Sequence, residues 1–568
     1  MSEKKRSFSW LLLVGALLVA GGAGAYFYLQ GNGRKLNPLD SGKVVPDDAM
    51  LTAYIDTDSP NWAKLQNFGS PEAQAAIAEG FESFQNGIFE NDGLNYQEDL
   101  KPWVGDVTLV ILPPSSHGAA ASDPNSSTSE VESSQTASDS EANLLVIVGI
   151  KNPLKAWMFS RNLKSQPDVT TENFNYKGVS ISATQVTEDA PTYSAVMGKY
   201  LVIAEQQSIL EKAIDTYQGS TSLANSEKGS EILKKWTENE NKIAQIYLPN
   251  SPLLSQQFQE TVSGTSERTQ GEEDFEGFKY AVITAGIDEA GMRVRAIAKV
   301  DPQAFSQPDP PAADALLLNR FPSETIALIT GQELKSSWET VVKQTSGDPM
   351  IQGMFKGFKS SIKQSVDLDI EQDILSWMDA QFALGLISSN QGLLAQLGFG
   401  GALLFETSDR PLAEAGLKKI NETLKKKLPV PLETDTSTYQ NIEVTEWKIP
   451  LQDIVLGGYG WLEENLLFIA LGQPTIEVMS ETLSDPLQNS ANFQTIAGSL
   501  PTPNQGYFYL DMDKVMTLLN RAPLPPGNEI PPEVLAVLNS IQGVGVTSSW
   551  PESEINQMDM LLALKPSQ

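Results

Sequence analysis

The chain repeats itself, and that repeat limits what it can fold into more than any other feature. Pro46 lies sixteen residues before Trp62, and Pro322 lies sixteen before Trp338. The first pair opens VPDDAMLTAYI and the second FPSETIALITG. Gln97-Glu98-Asp99-Leu100 leads to Trp103, and Glu371-Gln372-Asp373-Ile374 leads to Trp377. The apolar runs VTLVIL and FALGLI follow them. Tyr200–Ala204 then matches Leu466–Ala470, Leu223–Ser226 matches Leu487–Ser490, and Ile246–Leu248 matches Phe508–Leu510. The offset falls in order from 276 to 274, 266, 264 and 262. Chance likeness would scatter it, so one supersecondary design is used twice. The 568 residues also exceed what one core can serve. The expected body is therefore two tandem copies of one domain, residues 44–301 and 315–568. Residues 302–314, with Pro302, Pro308, Pro310 and Pro311, read as an extended linker.

Within a copy the elements mix. Short β-branched and aromatic runs bounded by Gly, Pro or Asp predict strands at Leu144–Ile150, Tyr193–Met197, Tyr200–Ala204, Tyr280–Ile287 and Arg293–Val300. Gly198-Lys199 and Asp288–Gly291 join consecutive strands as tight turns, so each sheet should be mainly antiparallel. Ser70-Pro71-Glu72 carries the N-cap, the N1 proline and the first-turn acid of a helix running to about Gln85. Pro411–Lys427 is a helix whose second half holds Lys418, Lys419, Lys425, Lys426 and Lys427. Gln207–Tyr217 and Pro474–Thr482 are one helix in its two versions. The fold class is α+β, with helices packed on each sheet. Residues 113–142 are rich in Ser, Ala and acids with almost no bulky apolar side chain. Such a segment buries too little surface to offset its ordering entropy, and it reads as a disordered insert.

The N-terminus supplies an address. Residues 1–7 form a basic leader with Lys4, Lys5 and Arg6. Residues 8–29 then run without a charge, FSWLLLVGALLVAGGAGAYFYL. As a helix this run spans about 30 Å, one bilayer core. Trp10, Tyr26, Phe27 and Tyr28 lie at its ends, where interfacial aromatics belong. The segment reads as a single transmembrane signal anchor followed by a juxtamembrane linker, residues 30–43. A cleaved signal peptide ending near Ala23-Gly24-Ala25 is the competing reading. Either one puts the body outside the cytoplasm, in a periplasm or a thylakoid lumen.

Composition excludes much chemistry. With no cysteine there are no disulfides, thiolate metal sites or cysteine nucleophiles. A net charge of −31 argues against nucleic acid, which needs clustered Lys and Arg. The one histidine, His117, falls inside the 113–142 insert and lacks the rigid support that a catalytic base requires. Ser360-Ser361-Ile362-Lys363 matches the S-x-x-K pattern, but no SDN or KTG partner occurs, and Met350–Val366 reads as an amphipathic helix. Asp56/Asp58, Asp367/Asp369 and Asp511/Asp513 are paired acids that could act on a glycoside or hold a hard cation. Each D-x-D lies at a strand end or turn without further ligands, and solvated turn acids are the default. Trp103 and Trp377 stand before apolar strands in both copies, so they read as core anchors rather than ligand platforms, as do Trp62 and Trp338. No catalytic, cofactor-binding or metal residue is assigned, and no cofactor is implied.

The element at Asp99–Trp103 and Asp373–Trp377, with its apolar strand, resembles the domain-of-unknown-function family numbered 3352. So does the layout of an N-terminal apolar segment before a duplicated, acidic, cysteine-free α+β body, in the style of a cyanobacterial member. The resemblance implies a membrane-associated extracytoplasmic protein and carries no activity. Three functional expectations follow. The first is a non-enzymatic, membrane-anchored scaffold or assembly factor acting on membrane protein complexes. The second is a binder of an apolar ligand, lipid or pigment. The third is a hydrolase using carboxylates alone, which requires acids from separate segments to converge.

Overall fold

The structure, a computed structural model, describes residues 37–567 except 80–95, 115–142, 165–168, 187–189, 235–240, 252–276, 304–314, 336–337, 340–341, 343–348, 367, 428–429 and 522–529. The leader and span at 1–29 lie outside the described residues, as do His117, Asp367 and nearly all of the 113–142 insert and the 302–314 linker. Among the described residues no helix is long and apolar enough to cross a membrane.

Two compact units divide the chain. The first takes the described residues up to 60, those from 96 to 251, and 281–284. The second takes 61–79, 277–280 and 285 onward.

In the first unit the elements are β1 (Leu51–Ile55), β2 (Val104–Leu112), β3 (Asn143–Ile150), α1 (Pro153–Lys164), β4 (Val169–Tyr176), β5 (Val179–Val186), β6 (Thr192–Met197), β7 (Tyr200–Ala204), α2 (Gln207–Gln218), α3 (Glu227–Lys234) and β8 (Lys242–Pro249). The strands pair antiparallel in the order β4-β5-β6-β7-β3-β2-β1-β8. Two tight turns set the β4–β7 register. Lys177 and Gly178 take φ of 49° and 85°, and Gly198 takes φ of 61°. Positive φ at both central residues of the first turn, and at the first central residue of the second, matches the right-handed strand twist, as tight hairpins require. Successive side chains alternate between the sheet's faces. One face buries Leu145, Ile147, Val202 and Ala204, with α2 packing on β6, β7 and β3 through Ile209, Leu210, Ala213 and Ile214. The other face buries Val146, Val148, Leu201 and Ile203 against Trp103 and the α1 residues Ala156 and Phe159.

The second unit begins, among labelled elements, with β10 (Gly291–Val300), which follows β9 (Phe278–Ile287). It continues with β11 (Thr325–Gln332), α4 (Pro349–Val366), β12 (Gln381–Ser388), β13 (Phe399–Glu406), α5 (Arg410–Lys427), β14 (Glu433–Tyr439), β15 (Ile442–Ile449), β16 (Ile454–Trp461), β17 (Leu466–Leu471), α6 (Gln473–Ser480), α7 (Ala491–Ile496), β18 (Tyr507–Asp511), α8 (Met512–Arg521), α9 (Pro532–Ser540), β19 (Ile541–Glu552) and β20 (Ile555–Leu564). Its antiparallel order is β14-β15-β16-β17-β13-β12-β11-β18-β19-β20-β10. One face is closed by α6 and α7, whose Ile476, Met479, Phe493 and Ile496 pack on Leu404, Phe468, Ala470 and Tyr509. On the other face Trp377 and the α5 residues Ala413 and Leu417 pack on Phe405 and Leu467. The chain is thus α+β, with extensive antiparallel sheet and helices on both faces.

The expected Asp288–Gly291 turn is present. The amides of Ala290 and Gly291 donate to Asp288 Oδ1 at 2.8 and 3.2 Å. The strand it launches pairs back on β9, and its other edge is filled from far along the chain. β10 pairs with β20 from Gly291↔Ala563 to Lys299↔Ile555. The residues 285–300, which the repeat assigns to the first copy, therefore fold within the second unit. Segment 61–79 does likewise, with Phe68 bridging Pro566 and the Gly69 amide donating to the Lys565 carbonyl at 2.9 Å. A sheet edge accepts any strand that satisfies its ladder, and the repeat boundary does not constrain that choice.

One close approach in α5 is testable. A Cβ on Gly416 would meet Trp377 Nε1 at 2.6 Å and the Asp373 carbonyl at 3.0 Å. On α4, a Cβ on Gly357 meets nothing within 4 Å. Gly416→Ala should lower stability by about 1–3 kcal/mol through overpacking. Gly357→Ala should raise it by about 0.4–1 kcal/mol through lost unfolded-chain entropy. Urea unfolding midpoints check both signs.

Candidate functional site

The acids singled out from sequence are dispersed, and the structure employs each one locally. Asp56 Oδ1 accepts the Asp58 amide at 3.1 Å, and Asp58 pairs with Lys151. Asp369 caps the turn Ile370–Ile374, accepting the Glu371 and Gln372 amides at 3.1 Å each. Asp511 is fully buried and accepts from Asn492 at 3.0 Å, Tyr509 at 3.2 Å and Lys514 Nζ at 2.7 Å. Burial opposes its charge, but the bonds from Asn492 and Lys514 prevail and hold its pKa below the usual carboxylate value. Asp513 pairs with Lys565. In the S-x-x-K match, Ser360 is exposed and Lys363 lies 3.7 Å from Asp369. Among the described residues, no group of three or more His, Cys, Asp or Glu is placed to hold a metal ion.

Trp103 and Trp377 are both 1% exposed and act as core anchors. Each ends a single π-turn, Tyr96–Leu100 or Ile370–Ile374. Each indole N–H donates to the carbonyl four residues back, Asp99 at 2.7 Å and Asp373 at 2.8 Å. Trp103 lies 5.8 Å from Phe159, and Trp377 lies edge-on 5.1 Å from Phe405. The other two tryptophans differ from expectation. Trp62 is 37% exposed, because it sits in a short 3-10 turn, Pro60–Asn67, that buries nothing. Trp338 is half-buried, donates to Glu371 Oε1 at 3.1 Å, and lines a 290 Å³ depression with Lys335, Glu339 and Leu375.

The chemically unusual group belongs to no motif of the sequence. Asp106 on β2 is 1% exposed, and neither carboxylate oxygen has a hydrogen-bond partner among the described residues. It lies opposite Gly149 on β3, which in turn lies opposite Tyr200 on β7. Two residues along β2, Thr108 faces Tyr54 on β1, which faces Gln245 on β8. The hydroxyls of Thr52, Thr108 and Tyr200 and Gln245 Oε1 are buried without partners as well. Burial pushes the Asp106 carboxyl up to about 8, and Asp56 and Asp40 add to the shift. Burial, then the nearby Asp106 charge, also raises Tyr54 and Tyr200. The positions matching Thr52, Tyr54, Asp106, Thr108 and Tyr200 in the second unit are Leu328, Thr330, Gln381, Ala383 and Leu466. Among the described residues, the polar cluster therefore lies in the first unit. Its sequence signal is an acid at the same parity as Thr108, Val110 and Leu112, all of which face inward.

A second feature lies in the second unit. Its outer sheet face carries Leu471, Leu384, Leu386, Ile329 and Phe508, each between 36% and 51% exposed. Ile329 stands opposite both Leu384 and Phe508 in the ladder, so these side chains adjoin across three strands. A contiguous exposed apolar strip of this kind is a candidate binding surface.

The sign of the Asp106 effect is fixed. Its folded pKa lies above its unfolded one, so the folded state binds the extra proton. Stability is fullest near pH 4 and falls as pH rises toward 8. Asp106→Asn should remove that dependence. The stability difference between variant and wild type should grow by up to about 1.4 kcal/mol per pH unit in this window. Denaturation curves that stay parallel from pH 4 to 8 would contradict the burial of a protonated Asp106.

Comparison with known proteins adds a family but no activity. Curated proteins yield no match. Among solved structures, crystal form I of TP0453 aligns at 11% identity and a TM-score of 0.24, covering 48% of this chain and 81% of that one. Crystal form III aligns at 10% and 0.25, covering 51% and 88%. Those scores carry no argument about fold or function. The family model described as "Protein of unknown function (DUF3352)" matches residues 12–564, and the chain belongs to that family.

Proposed function

We propose that this protein is a non-enzymatic, membrane-anchored extracytoplasmic scaffold or assembly factor, built from two copies of one α+β domain. The apolar strip formed by Leu384, Leu386, Ile329 and Phe508 carries the reading, as a surface for a protein partner. The duplication is supported by the eight-strand order common to the two units and by the matched registers Tyr54↔Thr108 and Thr330↔Ala383. The anchor is supported by the uncharged run at 8–29 behind a basic leader. The membrane is then that of a periplasm or thylakoid lumen, in a cyanobacterial-type cell. Local use of Asp58, Asp369, Asp511 and Asp513 weighs against carboxylate hydrolysis.

A second reading takes the same strip as the seat of an apolar ligand, lipid or pigment. Organic extraction of the purified protein followed by mass spectrometry separates the two. A stoichiometric lipid or pigment favours the ligand, and an empty protein favours the partner.

Two outcomes are expected of the scaffold. Alkaline carbonate should leave the full chain in the membrane fraction, while deletion of residues 8–29 should release it. Affinity purification in mild detergent should recover a stable complex that Ile329→Glu with Leu384→Glu weakens about tenfold or more, since a hot-spot truncation alone costs about 2 kcal/mol. Recovery of the protein alone at native abundance would contradict the proposal.

A further inference from the structure

Charge is distributed unevenly in this acidic chain. α4 and α5 together carry nine basic and two acidic side chains, against 31 basic and 69 acidic in the rest. The two helices pack against each other, and both contact the turn Ile370–Ile374. Acids in and beside that turn draw lysines in from both helices. Glu371 pairs with Lys359 at 2.7 Å, Asp369 with Lys363 at 3.7 Å, and Asp373 with Lys419 at 2.6 Å. Lys356, Lys418, Lys426 and Lys427 remain exposed, with no ion pair among the described residues.

The helix macrodipole accounts for lysines in the last turn of α5. It does not account for Lys418, nor for the lack of any acid on α4. On α4, Lys356, Lys359 and Lys363 recur at i, i+3 and i+7, which is one stripe. On α5, Lys418 and Lys425 recur at i and i+7 to one side of the buried Ala413 and Leu417, and Lys426 lies further round, away from them. A body of net charge −31 is repelled by an anionic surface everywhere except at such a patch.

We propose that the α4–α5 lysine face docks on anionic lipid headgroups of the membrane that holds the chain. This rests on the membrane placement proposed above. Each lysine near an anionic leaflet contributes about 1 kcal/mol, and the attraction decays within a Debye length. Docking therefore follows the number of lysines and is lost in high salt.

The full chain has no cysteine, so Ser360→Cys carries one donor fluorophore on α4 and Ser220→Cys a control on the first unit. Each is reconstituted in vesicles with acceptor-labelled headgroups, made of phosphatidylcholine alone or mixed with phosphatidylglycerol. Energy transfer at Ser360→Cys should exceed that at the control, and only with phosphatidylglycerol present. Lys→Gln at any one of Lys356, Lys418 and Lys426 should weaken docking about fivefold, and Lys→Arg should not. About 1 M salt should abolish it, since screening then acts within about 3 Å. Equal transfer on both lipids, or transfer unchanged by all three neutralisations, overturns the proposal. So does loss of transfer on adding inorganic phosphate at fixed ionic strength, or binding of soluble polyglutamate without lipid contact. Carbonate extraction reports the anchor separately, so failure of one reading leaves the other visible.

Discussion

Each unit depends on one buried contact, an indole N–H given to the backbone carbonyl four residues earlier. Trp103 to Asp99 and Trp377 to Asp373 make the same bond at 2.7 and 2.8 Å. The bond satisfies a carbonyl that a helix end would leave open, and it buries the largest side chain of the turn. The ring then seats the next strand, β2 or β12, with its inward parity set. From that parity follows which side chains of the neighbouring strands meet α2 or α6, and which meet α1 or α5. Gly416 shows how little slack remains, since even a methyl group at that position would press on the indole.

Against this common frame the two units diverge in their interiors. The second has Leu328, Ala383 and Leu466 at the positions the proposed repeat matches, and the most buried of its described acids, Asp511, is bonded on several sides. The first keeps Asp106, Thr108 and Tyr200 buried, without hydrogen-bond partners among the described residues. Burying a polar group without a hydrogen bond costs free energy, and a carboxyl meets that cost by holding its proton. The second unit instead exposes an apolar strip and gathers lysines, the features of a surface that meets something.

Much of this was legible in the residues. The repeated Asp-x-x-x-Trp element located both anchors, and the turns at Gly198-Lys199 and Asp288–Gly291 lie where composition put them. Other parts left no local signal. The hairpins β4–β5 and β14–β15 read VTTENFNY and ETDTSTY on one arm, polar on both faces, so periodicity is silent there. Their turns, Lys177-Gly178 and Gln440-Asn441, fix them through positive φ instead. Asp106 escaped because an apolar run draws the eye past an acid standing just before it. β10 was assigned to its own copy because nothing in a strand's sequence names the edge it will join. Trp62 and Trp338 were read as core by analogy with Trp103, although neither is followed at once by a strand that buries it.

The proposed duplication implies that each unit is held by its own tryptophan. Hydrogen–deuterium exchange on Trp103→Ala and Trp377→Ala tests it most directly. Truncating a buried tryptophan costs about 3–5 kcal/mol, enough to open a unit locally. The account predicts that Trp103→Ala strips protection from β2, β3 and β7 and leaves β12, β13 and β17 protected, and that Trp377→Ala does the reverse. Loss of protection in both sets from either single substitution, or in neither, would contradict it.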